Sequence, residues 1–120
     1  MATSILIVED DHPVADSLRA LLSSKGYDIS MAYNGAEGLA TAERNKPNIM
    51  LLDIILPKMG GFEVCQTLKS NPDTKKIKII MMTALDSLGD IEEALQHGAD
   101  DYVIKPFDTE QLLKKIQKAA

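Results

Sequence analysis

Ile5-Leu6-Ile7-Val8-Glu9-Asp10-Asp11 is the stretch that decides the fold. An unbroken apolar run, rich in β-branched side chains, stops against a block of carboxylates. Such continuity suits a strand buried on both faces, the kind found in parallel sheets covered by helices on either side. The residues that follow keep a helical period instead. Val14, Leu18, Leu21 and Leu22 share one face between Pro13 and Lys25, and Gly26 ends that helix as a C-terminal cap.

Outward from there the two patterns take turns. Tyr27, Ile29 and Met31 alternate with polar or small residues, which predicts a half-exposed second strand. Asn34 followed by Glu37 reads as an N-cap with its reciprocal partner, opening a helix through Leu39 toward Arg44. Pro47 closes the connection to Ile49-Met50-Leu51-Leu52, the most apolar strand, which ends on Asp53. Pro57 and Gly60-Gly61 mark a loop, after which Phe62, Cys65 and Leu68 begin another helical face. Asn71-Pro72-Asp73 is a turn, and Ile77 to Met82 is a fourth strand ending on Thr83. A helix from about Ser87 to His97 is expected to carry Ile91, Ala94 and Leu95 inward, with Gly98 past its end. Tyr102-Val103-Ile104 forms a short fifth strand ending on Lys105-Pro106. Asp108 and Gln111 suit a capping box for a last helix, with Leu112, Leu113 and Ile116 toward the core.

Five strands alternating with five helices imply an α/β fold with one doubly wound parallel sheet. Right-handed crossovers restrict its topology, and the flavodoxin-like order 2-1-3-4-5 is the simplest fit. The 120 residues suffice for one domain, residues 1–120, and leave no room for a second of normal size. Apolar residues make up 45% and charged residues 26%, which argues against disorder. No apolar run approaches the roughly 20 residues of a membrane span, and Met1-Ala2-Thr3-Ser4 does not open a signal peptide. Cys65 is the lone cysteine, so no internal disulfide or cysteine-based zinc site is expected and a reducing, cytoplasmic setting is the default. The net charge of −5 argues against a large nucleic-acid-binding face.

The polar residues gather at strand ends. Glu9, Asp10 and Asp11 follow the first strand, Asp53 the third, Thr83 the fourth and Lys105 the fifth. Those strands are neighbours in the expected order, so their ends converge on one rim, where doubly wound sheets bind ligands. Crowded carboxylates repel one another unless a cation joins them. Their oxygens suit Mg²⁺. With Lys105 nearby, metal and ammonium would neutralise charge developing on phosphoryl oxygens, and Asp53 would be the nucleophile that forms an aspartyl-phosphate.

At this point a resemblance becomes specific. Five pieces in order match a response-regulator receiver domain over essentially the full chain. They are Ile5 through Asp11, Leu51-Leu52-Asp53, Leu56-Pro57-Lys58-Met59-Gly60-Gly61, Met82-Thr83-Ala84, and Gly98 through Phe107. The resemblance implies that Asp53 is the phosphoacceptor and that Glu9 and Asp10 are the acidic metal pair. Asp10 and Asp53 would bind Mg²⁺ directly, Glu9 through water, and the backbone carbonyl of Ile55 would supply a further oxygen. Thr83 and Lys105 would contact the phosphoryl group, Tyr102 would be a switch aromatic, and the bond before Pro106 would be cis. The partners implied are a sensor histidine kinase or histidine phosphotransfer protein, and an unnamed output partner or domain. The chain is then either a natural single-domain regulator or the receiver of a longer protein.

Plainer readings stand beside these. Acidic clusters are usually solvated surface, Asp11 can simply cap the first helix, and Thr83 and Lys105 can be ordinary strand-end residues. Asp53 is harder to set aside, because a carboxylate ending so apolar a strand needs a partner. His12 reads as a surface residue rather than a zinc ligand, His97 as a helix C-terminal histidine, Cys65 as a packed small side chain and Met81-Met82 as core. A pseudo-receiver that works without phosphorylation is the alternative function, and the complete set Glu9, Asp10, Asp53, Thr83 and Lys105 argues against it. A flavin carrier would need a phosphate loop where Glu9-Asp10-Asp11 would repel phosphate. A haloacid-type phosphatase usually has a second aspartate two residues after the nucleophile, where this chain has Ile55.

Two further expectations concern the switch. By the resemblance to receiver domains, the residues two beyond Asp53 and Thr83 influence attack by water; here they are Ile55 and Leu85, both apolar and unable to orient a water, which favours a long-lived phosphorylated form. The output face is expected on the fourth helix, fifth strand and fifth helix. Acidic Asp90, Glu92, Glu93, Asp100 and Asp101 there face basic Lys114, Lys115 and Lys118, a pattern suited to a phosphorylation-dependent homodimer. The Gly98-to-Phe107 segment resembles receivers of DNA-binding regulators that dimerise this way, but the fourth helix lacks the basic residue those dimers generally use, which favours instead a monomer meeting its partner through the same face.

Overall fold

The structure, a computed structural model, describes residues 2–84 and 88–120. The elements run β1 (Ser4–Val8), α1 (His12–Ser24), β2 (Asp28–Ala32), α2 (Gly35–Asn45), β3 (Ile49–Asp53), α3 (Gly61–Lys69), β4 (Lys78–Ala84), α4 (Leu88–Gln96), β5 (Asp101–Lys105) and α5 (Thr109–Ala119). All pairings are parallel, in the order β2-β1-β3-β4-β5. The five-stranded, doubly wound, flavodoxin-like sheet expected from the apolar runs is therefore the observed fold.

Strand parity divides the core in two. Leu6, Val8, Met50, Leu52, Ile79 and Met81 point to one face, where Ala42, Val64, Cys65 and Leu68 of α2 and α3 meet them. Ile5, Ile7, Ile49, Leu51, Ile80, Met82 and Val103 point to the other, against Leu18, Leu22, Leu112 and Ile116 of α1 and α5. Alternate residues of one strand thus serve opposite cores, which is why the runs are apolar without alternation. At about 25 cal/mol per Å² of apolar surface, this two-sided burial is the main stabilising contribution. Cys65 lies wholly inside, and burial pushes its thiol pKa up to about 11.

Capping residues begin three of the helices. The Asp11 side chain accepts from Val14 N at 3.2 Å, Asn34 from Glu37 N at 2.8 Å, and Asp108 from Glu110 N at 3.0 Å and Gln111 N at 3.3 Å. Each such cap contributes about 1 kcal/mol. Gly26, at φ +91°, supplies the left-handed step that turns the chain from α1 into β2. β2 is an edge strand, and its Ile29 and Met31 are half-buried, as their alternation predicts.

One expectation is corrected. Leu95 is not an inward residue of α4 but stands 49% exposed. Among the described residues the larger contacts of that helix are with β4 and α3, and its last turn is left partly uncovered. The proposed helix start at Ser87, and Leu85, lie outside the described residues, as do the side chains of Ile91 and Ala94. Among the described residues no helix is long and apolar enough to cross a membrane.

Candidate functional site

β1, β3, β4 and β5 are adjacent and parallel, so their C-terminal ends share one rim. Parity decides which side chains meet there. Glu9 and Asp53 continue the alternation of Ile5-Ile7 and Ile49-Leu51, and Lys105 that of Val103, all on the α1 and α5 side. The backbone extends this order just past the strands: Glu9 N donates to Ala32 O at 3.1 Å, and Ile54 N to Met82 O at 3.2 Å.

The side chains converge accordingly. Lys105 Nζ donates to Asp53 Oδ2 at 2.8 Å and to Glu9 Oε1 at 2.5 Å. Glu9 Oε2 accepts from Asp11 N at 3.3 Å, and Asp53 Oδ1 from Ile55 N at 3.2 Å. One carboxylate oxygen each of Glu9, Asp10 and Asp53 lies within 4.8 Å of the others. Glu9 and Asp53 are buried while Asp10 is exposed, so the cluster opens to solvent on one side.

Burial raises the Glu9 pKa to about 7, helped by the hydrogen bond and negative charge of Asp53 and opposed by Lys105 and the Asp11 N–H. Burial works against the Lys105 ammonium. Its bonds to Asp53 and Glu9 outweigh that and hold its pKa above the ordinary lysine value. The group is therefore one lysine shared by two buried carboxylates with a third beside them, a surplus of negative charge. An all-oxygen donor set, one side open to water, fits Mg²⁺, which prefers hard oxygen ligands and keeps several waters.

Thr83 is buried near the end of β4, in register with Ile104. It shares the parity of Ile79 and Met81, on the α3 side of the sheet. Ile55 lies at the mouth of the site, 75% exposed. Tyr102 stands apart from the acidic group, half-buried on edge strand β5 against Asp101 and Lys115. The Lys105-Pro106 bond is cis. His12 stacks flat on Tyr33, ring centroids 4.1 Å apart, and His97 Nδ1 lies 3.1 Å from Glu93 O with its ring against Phe62. His12 is exposed at the surface and His97 follows the last residue of α4, as the plainer readings had them.

The loop after β3 is fastened against the end of that strand by Gly61. A Cβ at Gly61 would come 2.3 Å from Asp53 O and 2.8 Å from Ile54 Cα, so only glycine lets the start of α3 close on the end of β3. Met59 N donates to Pro57 O at 2.8 Å across Lys58, which sits at φ +69°, forming a three-residue turn at the loop tip.

Two features were not read from the sequence. One is the second contact of Lys105, with Glu9. Its signal was the shared parity of Glu9, Asp53 and Lys105 on adjacent strands. The other is an apolar groove of about 720 Å³ between α1 and the start of α5, lined by Val14, Leu18, Leu21, Phe107 and Leu112 and reaching Lys105 and Pro106. Helix periodicity marked Leu18 and Leu112 for the core without showing that the two helices part above them.

Comparison with known proteins agrees with this geometry. Residues 5–117 match the family model of the response regulator receiver domain. The chain is 40% identical over 113 residues to the DNA-binding dual master transcriptional regulator RpaA of Synechocystis sp., covering 94% of this chain and 47% of that protein. It spans about half the length of the first curated relatives it matches. A response regulator structure from Chloroflexus aurantiacus superposes with a TM-score of 0.95 at 31% identity, covering 99% of this chain and 98% of the other. The receiver domain of a sensor histidine kinase from Pseudomonas aeruginosa, which has a magnesium ion coordinated in its active-site cleft, superposes with a TM-score of 0.90 at 30% identity, covering 98% and 97%. With a fold, a strand-end carboxylate cluster and a family model all in agreement, the chain belongs to the response regulator receiver domain family.

Proposed function

We propose that Asp53 accepts a phosphoryl group from a phosphohistidine on a sensor kinase or phosphotransfer protein, and that residues 1–120 act as one phosphoacceptor domain. The observation that carries this is the setting of Asp53: buried at the end of the central strand, with Lys105 Nζ at 2.8 Å and two further carboxylates within 4.8 Å. An Asp53 oxygen attacks phosphorus as the P–N bond to the imidazole breaks, and the ring nitrogen leaves with the electron pair. Lys105 already touches Asp53, so its ammonium meets the charge that develops on phosphoryl oxygens without having to be recruited. Glu9, Asp10, Asp53 and the carbonyl of Ile55 would hold Mg²⁺, whose chemistry when bound is to neutralise the phosphoryl oxygens and fix their geometry. Thr83 would take a phosphoryl oxygen by its hydroxyl.

Phosphorylation would draw Thr83 toward Asp53 and let Tyr102 turn inward, changing the face made by α4, β5 and α5. A local charge event that biases two packings is a common switch. That face would meet an output protein or a second copy of the chain. The apolar groove that reaches Lys105 and Pro106 is suited to the helical surface of the phosphodonor, since Lys105 in turn touches the acceptor Asp53. The same reading sets the chain in the cytoplasm and gives this acidic domain no direct grip on nucleic acid. Treatment with acetyl phosphate and Mg²⁺ should add one phosphoryl mass, and Asp53→Asn should not gain it. An Asp53→Asn protein phosphorylated at the wild-type rate would refute the assignment.

A further inference from the structure

Lys115 of α5 reaches back to the start of β5 and is fully engaged there. Its Nζ donates to Asp101 Oδ1 at 2.8 Å and to the Tyr102 carbonyl at 2.5 Å, and stands 4.4 Å from the centroid of the Tyr102 ring. Asp101 Oδ1 also accepts from Tyr102 N at 2.8 Å. The residue is thus held by its amide, its carbonyl and its ring, all through one ammonium and the carboxylate beside it. An ammonium has three N–H groups. Two are spent on oxygens, and the ring face takes the remaining charge. The side chains of Lys115 and Asp101 are 19% and 27% exposed, so salt screens the contact less than it would an open surface pair.

We infer that Lys115 is a positioning residue for the switch: it holds the Tyr102 ring in its half-exposed place and thereby sets how readily the Asp53 site reaches its activated state. The inference rests on the reading of Asp53 and Tyr102 given above. The backbone contacts of Lys115 survive rotation of the Tyr102 side chain, whereas the ring contact does not. Turning the ring inward therefore forfeits the cation–π interaction and leaves an N–H facing only water. That loss weighs on one side of the equilibrium, and a ligand of the activated state must overcome it. Removing the ammonium should raise the activated fraction, and the apparent affinity for a phosphoryl mimic with it, by about two- to ten-fold.

A structural tie between α5 and β5 would involve the same atoms, so stability alone does not test the idea. The full chain is titrated with beryllofluoride in the presence of Mg²⁺ while the ¹³C-labelled tyrosine ring signals are followed, with Tyr102 assigned through Tyr102→Phe. Lys115→Met should shift the Tyr102 signal before any ligand is added and bind beryllofluoride about two- to ten-fold more tightly. Lys115→Arg, which restores a cation over the ring, should return both to wild type, and Asp101→Asn, which loosens the ammonium while keeping an acceptor for Tyr102 N, should fall between. A wild-type Tyr102 signal that responds to beryllofluoride, together with unchanged signal and affinity in Lys115→Met, overturns the role of Lys115 and leaves the switch reading intact. Wild-type protein that binds beryllofluoride with no response at Tyr102 overturns the switch and Lys115 with it. Wild-type protein that does not bind overturns the Asp53 reading itself.

Discussion

Lys105 Nζ lies 2.5 Å from Glu9 Oε1, so the lysine that touches Asp53 is shared with a second buried acid. Glu9 then carries a pKa near 7, chiefly because burial disfavours its charged form. A carboxyl whose folded pKa lies above its unfolded value binds more protons when native. Its contribution is present below about 4.5 and is lost as pH rises toward 7. In EDTA, the stability of wild type relative to Glu9→Gln should therefore fall between pH 4.5 and 7, by on the order of 2 kcal/mol. Urea melts of both proteins at pH 5 and pH 8 measure it, and a difference independent of pH would count against the raised Glu9 pKa.

Mg²⁺ should stabilise the chain by mass action, since it joins carboxylates that only the native fold brings together. Asp10 is the exposed member of the set. Asp10→Asn should leave the metal-free melt within about 0.5 kcal/mol of wild type while losing most of the Mg²⁺-dependent shift. Calorimetric titration of both proteins checks this. An unchanged Mg²⁺ affinity would remove Asp10 from the ligand set.

Ile55 exposes 75% of its surface beside Asp53, and its side chain offers no hydrogen bond to a water. Ile55→Asn should shorten the life of the Asp53 phosphate several-fold, because an amide there can hold a water in line with phosphorus. The decay of ³²P-labelled protein follows it directly. Equal half-lives would mean that water is governed from elsewhere.

Gly61 sits where any Cβ would meet the backbone at Asp53 and Ile54. Gly61→Ala should cost about 1–3 kcal/mol, the range for overpacking, and should weaken Mg²⁺ binding as the end of β3 is pushed aside. Thermal melts with and without Mg²⁺ separate the two effects. A variant that melts like wild type would show that the loop yields easily.

The fold was legible because the inner strands β1, β3 and β4 are apolar on both faces and each helix is marked by a cap or a glycine. Ile5 through Val8 and Ile49 through Leu52 read as strands buried on both faces and are inner strands of the sheet, and Asp11, Asn34 and Asp108 begin helices as their side chains predict. The strand-end rule then brought Glu9, Asp10, Asp53 and Lys105 to one rim. Less legible was anything decided by the reach of a long side chain. Lys105 and Lys115 each have several partners within an arm's length, and which ones they choose depends on how strands and helices are offset in space. Leu95 failed for a related reason. Helical spacing shows which residues share a stripe, but the width of that stripe actually covered depends on what lies beneath α4.

The alternation of side chains across the sheet has a consequence for signalling. A sheet buried on both faces insulates its two cores, since side chains on one side cannot see those on the other. At the rim that insulation ends. Glu9, Asp53 and Lys105 belong by parity to the compartment of α1 and α5, while Thr83 belongs to that of α3. A group attached to Asp53 and gripped by both Lys105 and Thr83 would span the partition. One covalent event could then be felt in both compartments at once, on the side that would receive the phosphodonor and on the side that would report its arrival.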